Sequence, residues 1–319
     1  YEEKPDSTAH FKPGLGYSIE YSLSNLYPKH GVADLRLINR GDNPIFIYSV
    51  GLRGGWMEEG HWYSKNMGFE IEPGDSKNLG LLSFSSPENP GYHDIKVGIS
   101  VLSKNNKGNW YDYGTKYLDA KEYKINPLTE EKNIKMEKEE YYSDKINELT
   151  NPENQEIESQ ANEIIENYSG EYNVYQISAL FDWVKNNISY VSDPEGEQDW
   201  STPNETLKLE GGDCEDQAIL LATMIESIGG KTRILLTDNH AYSTVYIGPP
   251  NHAENVMSAI RKYYGTELSF AYRVIENQAW LVLESSGGLY PGDYPVGAKP
   301  SENGWAFTNT EKLTYVDPD

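Results

Sequence analysis

The sequence predicts a chain of two domains, an N-terminal all-β immunoglobulin-like sandwich and a C-terminal α+β domain. The first observation is a series of short, alternating apolar runs separated by turn signals between residues 14 and 123. The second is a change to a charged, aromatic-poor composition from Asn126 onward. The third is a helical apolar pattern that begins near Asn173 and precedes several strand-like runs. We therefore expect a sandwich at 1–125, a helical linker at 126–170 and a second domain at 171–319.

Five runs in the N-terminal part alternate apolar and polar residues, as half-buried strands do. Turn sequences that contain Pro, Gly, Asn and Asp separate them. Many short strands at this spacing are typical of an antiparallel sandwich. The predicted strands are Tyr17–Leu23, Val32–Ile38, Ile45–Val50, Leu79–Phe84 and Ile95–Leu102.

The linker is rich in Lys, Glu, Asn and Ile from Asn126 to about Asn167. Asn151-Pro152 is a helix-start signal, and apolar residues follow it at helical spacing. The intervening charges indicate a solvated helix face. The apolar positions are Ile157, Ala161, Ile164 and Ile165.

The C-terminal part predicts helices first and strands afterwards. Residues 174–188 place apolar side chains three and four apart, which indicates one buried helix face. A second apolar helix begins at Cys214 and ends at Gly229-Gly230, because glycine readily adopts the left-handed backbone of a helix end. Strands are predicted at 232–236, 241–247 and 279–283, a helix or flap within 248–278, and ordered loops after Ser285.

Composition narrows the function classes. The chain has 27 basic and 50 acidic residues and a formal net charge of −23, so nucleic acid and anionic lipid surfaces are not expected partners. No apolar run reaches the roughly 18 residues that a membrane span needs. The sequence starts at Tyr1 rather than Met, which either a removed signal peptide or anchor, or a trimmed chain, would explain. We expect an extracellular, cell-surface or periplasmic protein.

The single cysteine lies in the most informative segment, Gly211-Gly-Asp-Cys-Glu-Asp216. Two glycines permit a tight turn, and Asp213 is suited to cap the helix that Cys214 begins. The helix dipole and the unpaired N–H groups of a first turn favour the thiolate. The backbone N–H of Cys214 is a candidate oxyanion donor.

A nucleophilic cysteine needs a base and a group that orients the base. His240 follows after a strand-like connection and is the candidate base. Glu284, at the end of the Trp280-Leu-Val-Leu strand, is the first candidate to orient it, and Asp238 is the alternative. Trp200 is a candidate for lining the cleft or supporting the oxyanion, with packing as the simpler interpretation. Trp280 is expected in the core.

These motifs resemble the transglutaminase-like superfamily of papain-type cysteine enzymes over about Tyr172 to Gly288. The resemblance rests on Asp199-Trp-Ser-Thr-Pro, Gly211-Gly-Asp-Cys-Glu-Asp, His240-Ala-Tyr, and Trp280 followed by an acidic residue four positions later. It implies an α+β fold with the cysteine at a helix start, and a triad of Cys214, His240 and Glu284. Glu284 departs from the family, which usually has Asp at this position.

The Trp-Ser-Thr-Pro and Cys motifs are most similar to those of bacterial transglutaminase-like cysteine proteases. That resemblance implies periplasmic, calcium-dependent proteins, with calcium held at the positions of Asp213 and Glu215. Carboxylate oxygens are what calcium prefers, although capping alone explains Asp213. The chemistry itself requires no cofactor.

We expect an enzyme that attacks amide bonds of proteins or peptides and forms an acyl-enzyme. Water as acceptor gives hydrolysis, which the protease resemblance favours, whereas an amine gives protein cross-linking. A third interpretation is a cell-surface adhesion or scaffold protein in which Cys214 is inactive.

Overall fold

The computed structural model describes residues 1–130, 134, 136–139, 142–193, 200–302, 304–310 and 312–318. The chain divides into two compact units. Unit 1 comprises Tyr1–Leu128 with Tyr264–Leu268, and unit 2 comprises Thr129–Tyr263 with Ser269–Asp319.

Unit 1 is built from two antiparallel sheets. The first has the strand order β1-β2-β5 and the second the order β4-β3-β6-β7, with β8 also paired to β6. The strands are β1 (Tyr17–Tyr27), β2 (His30–Asn39), β3 (Ile45–Gly54), β4 (Tyr63–Ile71), β5 (Ser76–Phe84), β6 (Gly91–Lys104), β7 (Trp110–Tyr117) and β8 (Lys121–Ile125).

An apolar cluster lies between these sheets. Leu35 and Leu82 enter it from the first sheet, and Leu52 and Val97 enter it from the second. All five strands predicted in this part are present. The strands β4, β7 and β8 were not predicted, because polar and aromatic residues interrupt their aliphatic alternation. The mostly β character is therefore confirmed, and the immunoglobulin-like topology stays a prediction.

Unit 2 combines helices with one six-stranded sheet of order β14-β15-β13-β12-β18-β9. Short pairs β10-β11 and β16-β17 stand apart from it. Its elements are β9 (Met136–Lys138), α1 (Ser143–Leu149), α2 (Gln155–Ile165), α3 (Val174–Asn187), β10 (Ser189–Tyr190), α4 (Pro203–Leu209), β11 (Gly211–Gly212), α5 (Cys214–Ser227), β12 (Thr232–Leu236), β13 (Ala241–Tyr246), α6 (Ala253–Tyr264), β14 (Tyr272–Ile275), β15 (Gln278–Leu283), β16 (Ala298–Ser301), β17 (Gly304–Phe307) and β18 (Leu313–Val316).

The helix α5 is central to unit 2. It packs against β12 and β13 on one side and contacts α2, α3 and α4. Nearly every side chain from Cys214 to Ile225 is buried, which explains its almost continuous apolar sequence. Gly229, with a φ of +93°, follows its last turn as predicted. Because α5 packs against β13, it sets the distance between the start of β13 and the N-terminus of α5.

Two segments of unit 2, residues 248–278 and the region after Ser285, had only coarse predictions. The segment 248–278 contains the helix α6 and the short strand β14, which confirms the predicted helix. The prediction of loops throughout the region after Ser285 was wrong. The strand β18 joins the main sheet between β12 and β9, and its four residues are too few to show a periodic signal.

No helix in the described part of the chain combines the length and the apolar character needed to cross a bilayer.

Candidate active site

The turn before Cys214 is held by backbone pairing and a helix cap. Gly211 and Gly212 form β11, which pairs in parallel with β10. Asp213 is the N-cap of α5, and it forms a capping box with Asp216. A Cβ atom on Gly212 would lie 2.6 Å from the Cβ of Asp216. Glycine at this position therefore allows the chain to approach the first turn of α5 closely.

Cys214 is buried, with 8% of its surface exposed. Its thiol donates a hydrogen bond to Oε2 of Glu215 at 2.9 Å. Burial, followed by this hydrogen bond, raises the pKa of the Cys214 thiol to about 12, although the backbone N–H of Ala241 acts in the opposite direction. The helix start by itself favours the thiolate, whereas burial and the neighbouring carboxylate of Glu215 favour the protonated thiol.

His240 lies at the entry to β13, and its ring is held by Glu284. Nε2 of His240 is 2.5 Å from Oε2 of Glu284, and both side chains are nearly fully buried. The carbonyl of His240 accepts hydrogen bonds from the backbone N–H and the hydroxyl of Thr237, which close the turn between β12 and β13. Because a carboxylate accepts the Nε2 proton, the neutral ring carries its lone pair on Nδ1.

Glu284 follows directly after β15 and is 1% exposed. Its Oε1 accepts a hydrogen bond from the hydroxyl of Ser286 at 2.7 Å, and its Oε2 accepts one from the backbone N–H of Val296 at 3.1 Å. A Cβ atom on Gly288 would lie 2.5 Å from the carbonyl oxygen of Glu284. Two donors besides His240 therefore compensate for burial of this carboxylate.

The fold brings the three predicted triad residues into one region. The N–H that acts on the Cys214 sulfur belongs to Ala241, which directly follows His240. Within the described residues, the thiol is hydrogen-bonded to Glu215 and the His240 ring to Glu284, rather than to each other. Asp238 is exposed in the turn before His240, whereas Glu284 contacts the ring.

Carboxylates crowd the start of α5. The ligand atoms of Asp213, Cys214 and Glu215 all lie within 4.8 Å of one another. Burial, and then the charges of Glu215 and Asp216, raise the pKa of Asp213 to about 7. The pKa of Asp216 is also raised, mainly by burial, although Ser201 donates hydrogen bonds to its carboxylate. Three acidic side chains, those of Asp213, Glu215 and Asp216, therefore lie close together at the start of α5.

The two tryptophans of the predicted motifs have packing contacts. Trp200 stacks on Tyr142 with a centroid separation of 5.2 Å and joins a cluster that includes Ala218 of α5. Trp280 is 1% exposed, which confirms its expected place in the core. Asp199, which precedes Trp200 in the motif, lies outside the described residues.

Sequence reasoning missed three groups that support the site. Ser286 had one available signal, since a hydroxyl residue two positions after a buried acid can bond it locally. The N–H groups of Ala241 and Val296 had none, because every residue except proline carries the same donor. Only the folding of the chain selects these two amides.

A family model described as the transglutaminase-like superfamily matches residues 158–284. The chain carries a transglutaminase-like domain. The match begins within α2 and ends at Glu284, so it contains Cys214 and His240 together with the residue that contacts the His240 ring. A comparison with curated proteins gave no significant match.

Similar solved structures include two candidate proteases. One, a candidate cysteine protease from Cytophaga hutchinsonii, is 12% identical with a TM-score of 0.29, over 86% of this chain and 83% of that one. Another, from Parabacteroides distasonis, is 12% identical with a TM-score of 0.27, and the match spans 68% of this chain but only 61% of that protein. A sporulation control protein of Bacillus subtilis is 12% identical with a TM-score of 0.21, over 37% of this chain and 51% of that one.

Proposed function

We propose that the transglutaminase-like domain is a cysteine acyl-transfer enzyme that hydrolyses amide bonds of proteins or peptides at the cell envelope. The single observation that carries the proposal is the buried His240–Glu284 pair beside Ala241, whose N–H reaches the Cys214 sulfur. A buried carboxylate on one imidazole nitrogen leaves the other nitrogen as a base. The envelope location rests on the motif resemblance to bacterial proteases of that compartment.

In the proposed reaction, Nδ1 of His240 takes the thiol proton and the sulfur attacks the amide carbonyl carbon. A C–S bond forms, and the carbonyl electrons move to an oxyanion that the Cys214 N–H stabilises. Collapse of this intermediate breaks the C–N bond, and His240 returns its proton to the leaving amine. Water then attacks the thioester, releases the acid and restores the thiol. Glu284 holds the ring and stabilises its charged form throughout.

Trp200 is the second group that we propose for the cleft. Its cluster includes Ala218, one turn beyond Cys214 in α5. An indole packed against this part of α5 can exclude water from one side of the reacting amide.

The hydrogen bond between Cys214 and Glu215 defines a resting state with a protonated thiol. The sulfur needs a free path to the substrate carbonyl and to His240. Glu215 is only half-buried, so its side chain can turn toward solvent and release the thiol. Activation then requires a change in one side chain rather than a change in the fold.

Calcium is a proposed ligand of this corner, held by Asp213 and Glu215. The donor chemistry fits, because both residues supply carboxylate oxygens, and burial together with the charges of Glu215 and Asp216 raises the pKa of Asp213. When bound, calcium would supply positive charge beside the nucleophile. The Cys214 thiol is a poor ligand for such a hard cation and stays available for chemistry.

One observation favours a second candidate, a non-catalytic cell-surface adhesion or scaffold protein. The thiol is buried, protonated and bonded to Glu215, as an inert cysteine would be. In that case the paired sheets of unit 1 would carry the binding function.

The rate of Cys214 alkylation by iodoacetamide, measured from pH 6 to 9.5 with and without calcium, separates these candidates. Fast labelling that calcium increases and that His240→Ala abolishes is the result expected for an enzyme. Labelling that stays slow and equal in both proteins under every condition would contradict the enzyme proposal. If the alkylation rate shows a reactive thiol, incorporation of a fluorescent amine into casein then distinguishes cross-linking from hydrolysis.

A further inference from the structure

The aromatic ring of Tyr242 lies against the imidazole of His240. His240 directly precedes the strand β13, and Tyr242 is the second residue of that strand. Side chains two residues apart on a strand point to the same side. The two ring centroids are 6.2 Å apart, and the ring planes differ by only 21°. The rings are therefore parallel and offset, which is a favoured geometry for an aromatic pair.

The bond to Glu284 fixes one atom of the His240 ring but not the plane of that ring. Nε2 of His240 is held 2.5 Å from Oε2 of Glu284. The torsion that turns an imidazole about its Cβ–Cγ bond has a broad energy minimum, so a single hydrogen bond leaves the ring free to tilt. A second contact, made by the face of the Tyr242 ring, removes that freedom.

Tyr242 can serve as a fixed support because the core of unit 2 encloses it. It is 1% exposed and belongs to an apolar cluster with Val282 of β15. Phe307 of β17 packs against Tyr242 with a centroid separation of 6.4 Å, and Trp305 meets Phe307 edge-on at 5.5 Å. A ring packed among such neighbours stays in one orientation.

The hydroxyl of Tyr242 is not what holds this residue in place. Within the described residues, Oη of Tyr242 is buried and has no hydrogen-bond partner. A buried hydroxyl without a partner lowers stability, because it has lost its bonds to water. The ring, rather than the hydroxyl, is thus the part of Tyr242 that contributes at His240.

We propose that Tyr242 is a positioning residue, whose ring fixes the plane of the His240 imidazole during acyl transfer. This inference rests on the proposed function. In that reaction Nδ1 of His240 takes the thiol proton and later returns it to the leaving amine, so one nitrogen must serve two successive partners. A ring that tilts away from either partner reacts more slowly. Contacts at Nε2 and at the ring face together keep Nδ1 in one direction.

Replacement of Tyr242 by Phe and by Leu separates the ring from the hydroxyl in the full chain. Tyr242→Phe keeps the ring, so iodoacetamide should alkylate Cys214 within about twofold of the wild-type rate at pH 8 with calcium. Tyr242→Leu removes the ring, and the rate should fall about three- to tenfold, which is the strength of an aromatic pair expressed as a ratio of rates. If Tyr242→Leu does not fold, Tyr242→Met serves in its place, since Met adapts to irregular core space.

Tyr246→Leu is the matched control. Tyr246 lies on the same strand as Tyr242, and its ring packs against Trp280 at 5.6 Å rather than against His240. Loss of this ring should lower the free energy of unfolding in urea but leave the alkylation rate of the folded protein equal to that of the wild type. A merely structural role for Tyr242 predicts the same result for Tyr242→Leu.

The NMR signal of the His240 Nε2 proton gives a readout that does not depend on the thiol. This proton is donated to Glu284, and its signal is assigned by its loss in His240→Ala. The signal should stay sharp in Tyr242→Phe and Tyr246→Leu. It should broaden in Tyr242→Leu, because a tilting ring weakens the bond to Glu284 and speeds exchange of the proton with water.

Three results would each overturn the positioning role. They are a Tyr242→Leu rate equal to that of Tyr246→Leu, a Nε2 signal that Tyr242→Leu leaves unchanged, and a Tyr242→Phe rate as low as that of Tyr242→Leu. In each case a fast, His240-dependent reaction of the wild type would leave the enzyme proposal standing. A wild-type thiol that is inert to iodoacetamide would overturn the enzyme proposal and, with it, this inference.

Discussion

Replacement of Glu215 by Gln tests whether one carboxylate controls the thiol. Glu215 accepts the thiol hydrogen bond at 2.9 Å, and this contact is the second cause, after burial, of a Cys214 pKa near 12. Gln keeps the length of the side chain and an oxygen that can accept the same bond. It removes only the negative charge that opposes formation of the thiolate.

The expected size follows from Coulomb's law. Two unit charges about 4 Å apart interact by about 4 kcal/mol at an effective dielectric constant near 20. Glu215 is half-buried, so solvent screening leaves roughly 1.5 to 3 kcal/mol, or about one to two pKa units. A lower pKa also makes the thiolate less nucleophilic, with a Brønsted coefficient of about 0.4–0.5. The net expectation is therefore about 3- to 16-fold faster alkylation at pH 8 without calcium.

The assay is iodoacetamide labelling of Cys214 followed by mass spectrometry over a range of pH. Glu158→Gln is the matched control. Glu158 lies in the first turn of α2, just as Glu215 lies in the first turn of α5, but Glu158 is exposed. Glu158→Gln should leave the rate of Cys214 alkylation unchanged. A Glu215→Gln rate equal to or below that of the wild type would refute the argument, because the carboxylate would then not be what suppresses ionisation.

Three further predictions concern the supports of the site. Glu284→Ala should lower the free energy of unfolding by about 2–4 kcal/mol in urea denaturation, because three donors lose their buried acceptor, whereas Glu284→Gln should cost less. Burial, and then the charges of Glu215 and Asp216, raise the pKa of native Asp213 to about 7, above the unfolded value of about 4, so the native state binds more protons between these values and stability falls as pH rises. Asp213→Asn keeps a good N-cap and should make that decline smaller, which thermal unfolding at pH 5 and pH 8 would show; an identical decline in both proteins would contradict it. Gly288→Ala should cost about 1–3 kcal/mol through contact with the Glu284 backbone, and an unchanged melting temperature would exclude this contact.

Local chemistry explains which features of the site were predictable. The cap of α5 links Asp213 to Asp216 three residues later, and the glycine after the helix sits one residue beyond its C-cap. Such interactions depend on neighbours in sequence and on the helical repeat. The order of the candidate nucleophile and base along the chain was also predictable, because it matches the order of motifs in the family.

Features that depend on distant neighbours were not predictable. The strand β18 has four residues and acquires its identity from pairing with β12 and β9, which lie far away in sequence. The amides of Ala241 and Val296 became part of the site only through folding. No pattern of residue types distinguishes one backbone N–H from another.

The sequence by itself indicated the two-part organisation, the helix that begins at Cys214, and the candidate side chains for nucleophile, base and orienting acid. The tertiary structure decided that Glu284 rather than Asp238 contacts His240, and that the thiol rests protonated against Glu215. The physical reason is that caps and periodicity are local, whereas desolvation and Coulomb interactions depend on every group that folding brings near. For Cys214 the local helix start favours the thiolate, whereas burial in the folded domain, followed by the bond to Glu215, raises the pKa of the thiol.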